Sequence, residues 1–240
     1  MNPLIQWLAQ TAMRLFSIVW FRLRAFGLDR IPREGATIVV ANHTSHLDPP
    51  ILGALIRRRK WFLARASLGK FRLGHWFLEK LGVIFIERDN PSRGSMQTAI
   101  DCVENGGLLI VFPEGTRSTD GRVGDFRRGV ELILRRAKDA VIVPIGLRGP
   151  RRAFPRGAII PRPVRCEAWV GQPIAVRDFR ANGGMEWLRH RVDELADVPV
   201  APLVTERTDS SDDAAPGAAA SDSLRGTDGP AAASESRRTV

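Results

Sequence analysis

His43 and Asp48 stand five positions apart in Asn42-His43-Thr44-Ser45-His46-Leu47-Asp48, and 71 positions after His43 comes Glu114, inside Phe112-Pro113-Glu114-Gly115-Thr116-Arg117-Ser118. A neutral imidazole near pH 7 accepts a proton from an alcohol. A carboxylate on its other ring nitrogen fixes the tautomer and steadies the imidazolium that forms. His46 is also close to Asp48, but Asn42 and the preceding strand exit favour His43 as the base. The second cluster brings an acid, a glycine that lets backbone approach a ligand, a hydroxyl, and an arginine able to fork two hydrogen bonds onto a phosphate. Together the clusters describe a base facing an anion-binding platform.

Strands must carry them. Ala36-Thr37-Ile38-Val39-Val40-Ala41 and Leu108-Leu109-Ile110-Val111-Phe112 are apolar, β-branched runs of strand length, and each chemical cluster begins where its run ends. Gly82-Val83-Ile84-Phe85-Ile86-Glu87-Arg88 predicts a third strand ending in Arg88, and Val141-Ile142-Val143-Pro144-Ile145-Gly146-Leu147 a fourth with an internal proline and glycine. Asp48-Pro49-Pro50 reads as a helix N-cap followed by proline. Helices are predicted over 49–58, 69–81, 92–105, 126–138 and 184–197. Strands alternating with helices predict an α/β fold with a mostly parallel or mixed sheet, whose sites lie at the carboxyl ends of the strands.

Asn42-His43-x4-Asp48, Gly82-x-x-Phe85-Ile86-x-Arg88, Phe112-Pro113-Glu114-Gly115-Thr116-Arg117-Ser118 and Val143-Pro144-Ile145-Gly146 resemble, in order and spacing, the four sequence blocks of the glycerolipid acyltransferases, specifically the 1-acyl-glycerol-3-phosphate type. The likeness runs from about Ile31 to Gly171. It implies transfer of a fatty acyl group from acyl-CoA or acyl carrier protein to the free hydroxyl of lysophosphatidic acid, giving phosphatidic acid, without a metal or prosthetic group. Carried over, His43 is the general base and Asp48 its orienter. Arg88, with Gly115, Thr116 and Arg117, holds the acceptor phosphate, Glu114 lies near the acceptor's polar groups, and Pro144 shapes the acyl pocket. Arg65 stands in a stretch where relatives often carry a lysine; it joins the substrate-binding set with the same charge and a different geometry.

The rest of the chain frames this domain. Residues 29–204 are assigned to it, after an amphipathic segment 1–28 and before a tail 205–240 that has no aromatic and one large aliphatic residue, Leu224, and reads as disordered. The chain carries +10, of which the tail contributes −3, so residues 1–204 carry +13. No helix-turn-helix, zinc-finger or RNA-recognition pattern accompanies that charge, so an anionic membrane surface is the expected partner rather than nucleic acid. Leu4, Ile5, Leu8, Ala12, Leu15, Phe16, Val19, Leu23 and Phe26 recur at helical spacing, with Gln6, Gln10, Arg14, Ser17 and Arg24 mostly opposite them. Arg14, Arg22 and Arg24 break the run short of a span. The segment is predicted to lie in the interface on the cytoplasmic face of the membrane, as a monotopic anchor. The alternative is a helix docked on the domain's own core. Cys102 and Cys166 are isolated and read as buried thiols. A lipid hydrolase would need an activated serine, yet Gly-x-Ser-x-Gly is absent.

Overall fold

The computed structural model describes residues 3–66, 72–86 and 93–197. Within them, β2 (Thr37–Ala41), β5 (Leu108–Val111), β3 (Lys60–Arg65) and β4 (Val83–Ile86) run parallel in the spatial order β2-β5-β3-β4. On its other side β2 pairs in parallel with β6 (Val141–Arg148), and β7 (Glu167–Val170) adds antiparallel to β6, with β1 (Arg24–Phe26) beyond it. The short β8 (Ile174–Ala175) also pairs with β6. The sheet is therefore mixed, parallel through its centre.

Alternation along the central strands separates two cores. Ile38, Val40, Leu109, Val111 and Ile142 face α4 (Arg93–Glu104), α5 (Arg128–Arg136) and α8 (Gly184–Asp197). Val39, Ala41, Leu108, Ile110, Val143 and Ile145 face α2 (Asp48–Leu55) and the last residue of α1 (Pro3–Phe21). Both faces being covered, the central strands read as unbroken apolar runs rather than alternating ones. The remaining helices are α3 (Arg72–Lys80) and two single turns, α6 (Pro150–Ala153) and α7 (Val176–Phe179). Helices stand within a few residues of all five predicted positions. The first residues of the predicted 69–81 helix, Arg88 and the tail from 205 lie outside the described residues.

The fourth block owes its composition to packing. A Cβ at Gly146 would lie 2.2 Å from the Leu195 carbonyl carbon, so α8 crosses β6 with its backbone resting on the glycine. Pro144 falls between the residues of β6 that pair with β8 and those that pair with β7, where a missing N–H costs least. Its carbonyl accepts from the Gly171 amide at 2.8 Å. Pro144, expected to shape an acyl pocket, is buried in the middle of the sheet and lines neither of the two cavities described below.

The N-terminal helix differs from the expectation in length. It stops at Phe21 because Arg22 turns left-handed (φ 46°), and Leu23 donates back to the Ser17 carbonyl at 3.1 Å. Leu23 and Phe26 therefore leave the predicted stripe, and Phe26 joins β1, stacked on Trp169 at 4.1 Å. The facing of the helix is telling. Ser17 and Phe21 are buried, whereas Leu4, Trp7, Leu8, Leu15, Phe16, Val19 and Trp20 are exposed. The apolar stripe points away from the domain. No helix among the described residues is long and apolar enough to cross a membrane.

Candidate active site

The site forms where β2 and β5, adjacent in the sheet, release their chains. From β2 the chain passes through α2 to β3 on one side; from β5 it passes through α5 to β6 on the other. Such a reversal leaves a crevice at the carboxyl ends. Asn42 closes it below: its side-chain nitrogen donates to the Leu147 carbonyl (3.0 Å) and its oxygen accepts from the Leu147 amide (2.7 Å). This buried side chain replaces one rung of the β2–β6 ladder and fixes the direction in which residue 43 leaves.

Asp48 then shapes the loop. Its Oδ2 accepts from the Thr44 amide (2.6 Å), the Ser45 amide (2.7 Å) and His43 Nδ1 (3.0 Å). The sequence reading made Asp48 an N-cap; instead it is the first helical residue, and its carboxylate reaches backwards into the loop rather than forwards to the helix amides. Because a fully buried carboxylate can only accept, Nδ1 must carry the proton, and His43 Nε2 is left with its lone pair. Nε2 has no hydrogen-bond partner among the described residues. His46 is exposed and is not the residue paired with Asp48. Its pKa is lowered, first by the partial loss of water around the ring and then by Arg117.

Glu114 ties the two clusters together. Its Oε1 accepts from the His43 amide at 2.8 Å and its Oε2 from the Gly124 amide at 3.1 Å. Burial raises its pKa, and those two amides oppose the shift. With both oxygens engaged and the side chain buried, Glu114 braces the two loops. It also lines the polar groove described below. The Ser118 amide completes the brace by donating to the His43 carbonyl at 2.7 Å. Gly115 sits at φ 65°, the left-handed conformation that glycine adopts without strain.

Two cavities are lined by residues that touch His43, Glu114 and Ser118 in one and Phe112 in the other. A groove of about 830 Å³ is lined by the cations Arg117, Arg122, Arg127 and Arg156, the acids Glu114, Asp120 and Asp125, and Thr116 among others. A second, apolar cavity of about 490 Å³ lies between α1, α2, β3 and α3, with His46 and Phe112 at its mouth. The His43 ring leans on Phe112, centroids 4.5 Å apart, while its backbone is held by Glu114 and Ser118 of the polar groove. Of the predicted binding residues, Thr116 and Arg117 line the groove and Gly115 turns its backbone. Arg65 ends β3 exposed at the same end of the sheet, two strands from β2.

Sequence reading missed Arg127, whose Nε donates to the Glu114 carbonyl at 3.4 Å, and Arg156, which donates to the Arg117 carbonyl. Neither belongs to the four blocks, and each resembled one more solvated arginine. The run Arg57-Arg58-Arg59-Lys60, which in the sequence resembles a solvated cluster of cations, is in part structural. Arg58 donates to the carbonyls of Pro32, Gly35 and Gly106, and Lys60 is buried. Cys102 and Cys166 are free thiols, both pushed up to about 12 by burial and so poor nucleophiles.

The fold and this loop arrangement are those of an acyltransferase. The Acyltransferase family model matches residues 22–148, and the chain belongs to that family. It is 30% identical over 142 residues to a chloroplastic 1-acyl-sn-glycerol-3-phosphate acyltransferase of Arabidopsis thaliana, a match covering 58% of this chain and 39% of that protein. It is 38% identical over 116 residues to the lyso-ornithine lipid O-acyltransferase of Pseudomonas aeruginosa, covering 48% of this chain and 41% of the relative. The chain thus spans well under two thirds of either protein. Among solved structures, the 1-acyl-sn-glycerophosphate acyltransferase of Thermotoga maritima superposes with a TM-score of 0.65 at 26% identity, covering 80% of this chain and 78% of that one.

Proposed function

We propose that this protein transfers a fatty acyl group from a thioester donor, acyl-CoA or acyl carrier protein, to the free hydroxyl of a 1-acyl-glycerol 3-phosphate at a membrane surface. The observation that carries this reading is His43, held by Asp48 on Nδ1 with Nε2 unoccupied, its backbone tied to Glu114 of the arginine-lined groove and its ring resting on Phe112 of the apolar cavity. The groove's arginines suit the acceptor's phosphate, and the apolar cavity suits the acyl chain that the donor brings. Nε2 takes the hydroxyl proton as the oxygen attacks the thioester carbonyl, and Asp48 steadies the imidazolium. Collapse of the tetrahedral intermediate expels the thiolate, which takes the proton back.

Arg117, Arg127 and Arg156 give the phosphate its forked donors. Arg117→Ala is expected to raise the KM for lysophosphatidic acid severalfold more than that for the acyl donor, with Arg117→Lys restoring it only in part. Equal effects on both substrates would assign Arg117 to structure alone.

The apolar cavity suits the acyl chain. It follows β3 from Ala64 to Lys60, about 13 Å of strand. Lys60 closes that end, its Nζ donating to the carbonyls of Ile56 and Arg58 and its pKa lowered to about 8 by burial. A chain reaching further would have to displace this polar floor, which is costly in an apolar setting. Midway, a Cβ at Gly53 would meet only the Phe62 ring, at 3.6 Å. Gly53→Leu should therefore fill the cavity and shift preference towards shorter donors. Competition within a series of acyl donors measures this, and an unchanged profile would place the chain elsewhere.

A lysolipid with a different head group is the second reading, favoured by the 38% identity to the lyso-ornithine lipid enzyme. An acceptor panel separates the two: preference for lysophosphatidic acid over lyso-ornithine lipid and monoacylglycerol supports the phosphate reading, and the reverse order replaces it. A serine hydrolase finds no support in Ser45, which is buried and donates its hydroxyl proton to the Phe154 carbonyl at 2.9 Å.

A further inference from the structure

Beyond α6 the chain runs through Arg156-Gly157-Ala158-Ile159-Ile160-Pro161-Arg162-Pro163-Val164-Arg165, a segment outside the four sequence blocks. Ile159 is 91% and Ile160 74% exposed, and with Val19 of α1 at 78% they are the three most exposed large apolar side chains among the described residues. Two neighbouring isoleucines held in water gain nothing for the fold.

The loop is nevertheless fixed. The Arg162 amide donates to the Ala153 carbonyl (2.6 Å) and the Val164 amide to the Arg162 carbonyl (2.8 Å). It is also bound to the end of α1: Trp20 Nε1 donates to the Pro161 carbonyl (3.1 Å) and Arg22 Nη2 to the Pro163 carbonyl (3.2 Å). The isoleucine tip is thereby made continuous with the outward apolar stripe of α1, which ends at Val19 and Trp20. On its inner side Arg156 bonds to the Arg117 carbonyl and lines the polar groove.

Charge says what covers this surface. Between Asp139 and Glu167 there is no acidic residue and there are six arginines: 148, 151, 152, 156, 162 and 165. Arg165 pairs with Glu167 and Arg148 bonds the Ala196 carbonyl, while Arg151, Arg152, Arg156 and Arg162 are exposed. An apolar tip on so basic a segment matches the acyl boundary and the phosphates of an anionic bilayer.

We infer that the Ile159–Ile160 loop is a second membrane contact, inserted beside α1 into an anionic bilayer, so that the arginine groove opens at the headgroup layer. A helix alone can roll about its axis on a membrane; a second insertion point fixes the roll and holds the mouth of the site against the lipid. The inference rests on the proposed lipid acceptor for its purpose, though not for the binding itself.

The test uses the full chain carrying Ile159→Asp together with Ile160→Asp, a companion with Ile159→Leu and Ile160→Leu, and vesicles of phosphatidylglycerol and phosphatidylcholine. Since both positions are exposed, the unfolding midpoint should not move. Losing the insertion of two isoleucines should weaken vesicle binding of the aspartate variant roughly tenfold or more, while the leucine variant binds as the wild type does. Turnover of vesicle-embedded lysophosphatidic acid should fall with it, and turnover of a short-chain, water-soluble acceptor should not. Aspartate-variant binding equal to wild type overturns the inference. If the wild type acylates neither acceptor, the proposed function fails, and the vesicle arm still decides this one.

Discussion

His43→Ala is expected to lower kcat by ~10²–10⁴-fold, the usual contribution of a positioned general base, while the unfolding midpoint stays near that of the wild type. The imidazole touches Phe112 and Asp48 and is partly open to solvent, so its removal leaves no large internal void. The loop keeps its shape without it, because Asp48 still accepts from the Thr44 and Ser45 amides and Glu114 from the residue 43 amide. His46→Ala, outside this network, should be much milder. Steady-state turnover with saturating donor and acceptor, together with thermal unfolding of both variants, checks the pair of statements. A His43→Ala protein within a few fold of wild type would remove the base from the account.

Asp48→Asn separates charge from geometry. An asparagine oxygen placed at the Oδ2 position can still accept from Thr44, Ser45 and His43, so the tautomer and the loop can persist. Its amino group then falls at the Oδ1 position, which is buried and has no hydrogen-bond partner, and a modest loss of stability should follow. The negative charge that steadies the imidazolium is gone. Turnover should fall by about 10² or more, with little change in the KM for either substrate. Asp48→Ala, by contrast, orphans three donors at once and should unfold at a visibly lower temperature. If Asp48→Asn retained full turnover, Asp48 would be a loop brace and nothing else.

The central strands were legible because both their faces are buried, which turns Thr37–Ala41, Leu108–Val111 and Val141–Arg148 into uninterrupted apolar runs. Other strands were not. Lys60–Arg65 begins with a lysine that seemed to belong to a surface cluster and is in fact buried on two carbonyls. Arg24–Phe26 continued a helical spacing that breaks at Arg22, a left-handed residue with none of the glycine signal that usually marks such a stop. In the site, the His43–Asp48 pair could be read from spacing, since both ends lie in one short loop. Glu114 could be found, though not its bracing role. Its role as a brace depends on Gly124, ten residues on, folding back to meet its second oxygen. Arg127 and Arg156 carried no local pattern at all; only the tertiary fold brings them to the groove.

The orientation of α1 shows the same division. Its periodicity was in the sequence, yet periodicity does not say which way a stripe points. Burial of Ser17 and exposure of Leu15 and Val19 do, and they invert the usual arrangement of a surface helix.

The activity proposed for this protein is acyl transfer to a lysolipid hydroxyl activated by His43. Its most direct test is incubation of the purified protein with a donor labelled in its acyl group, with and without lysophosphatidic acid. Label that appears in phosphatidic acid, only when the acceptor is present, is the result expected. Label released as free fatty acid at the same rate in both tubes would make the protein a hydrolase and contradict the account.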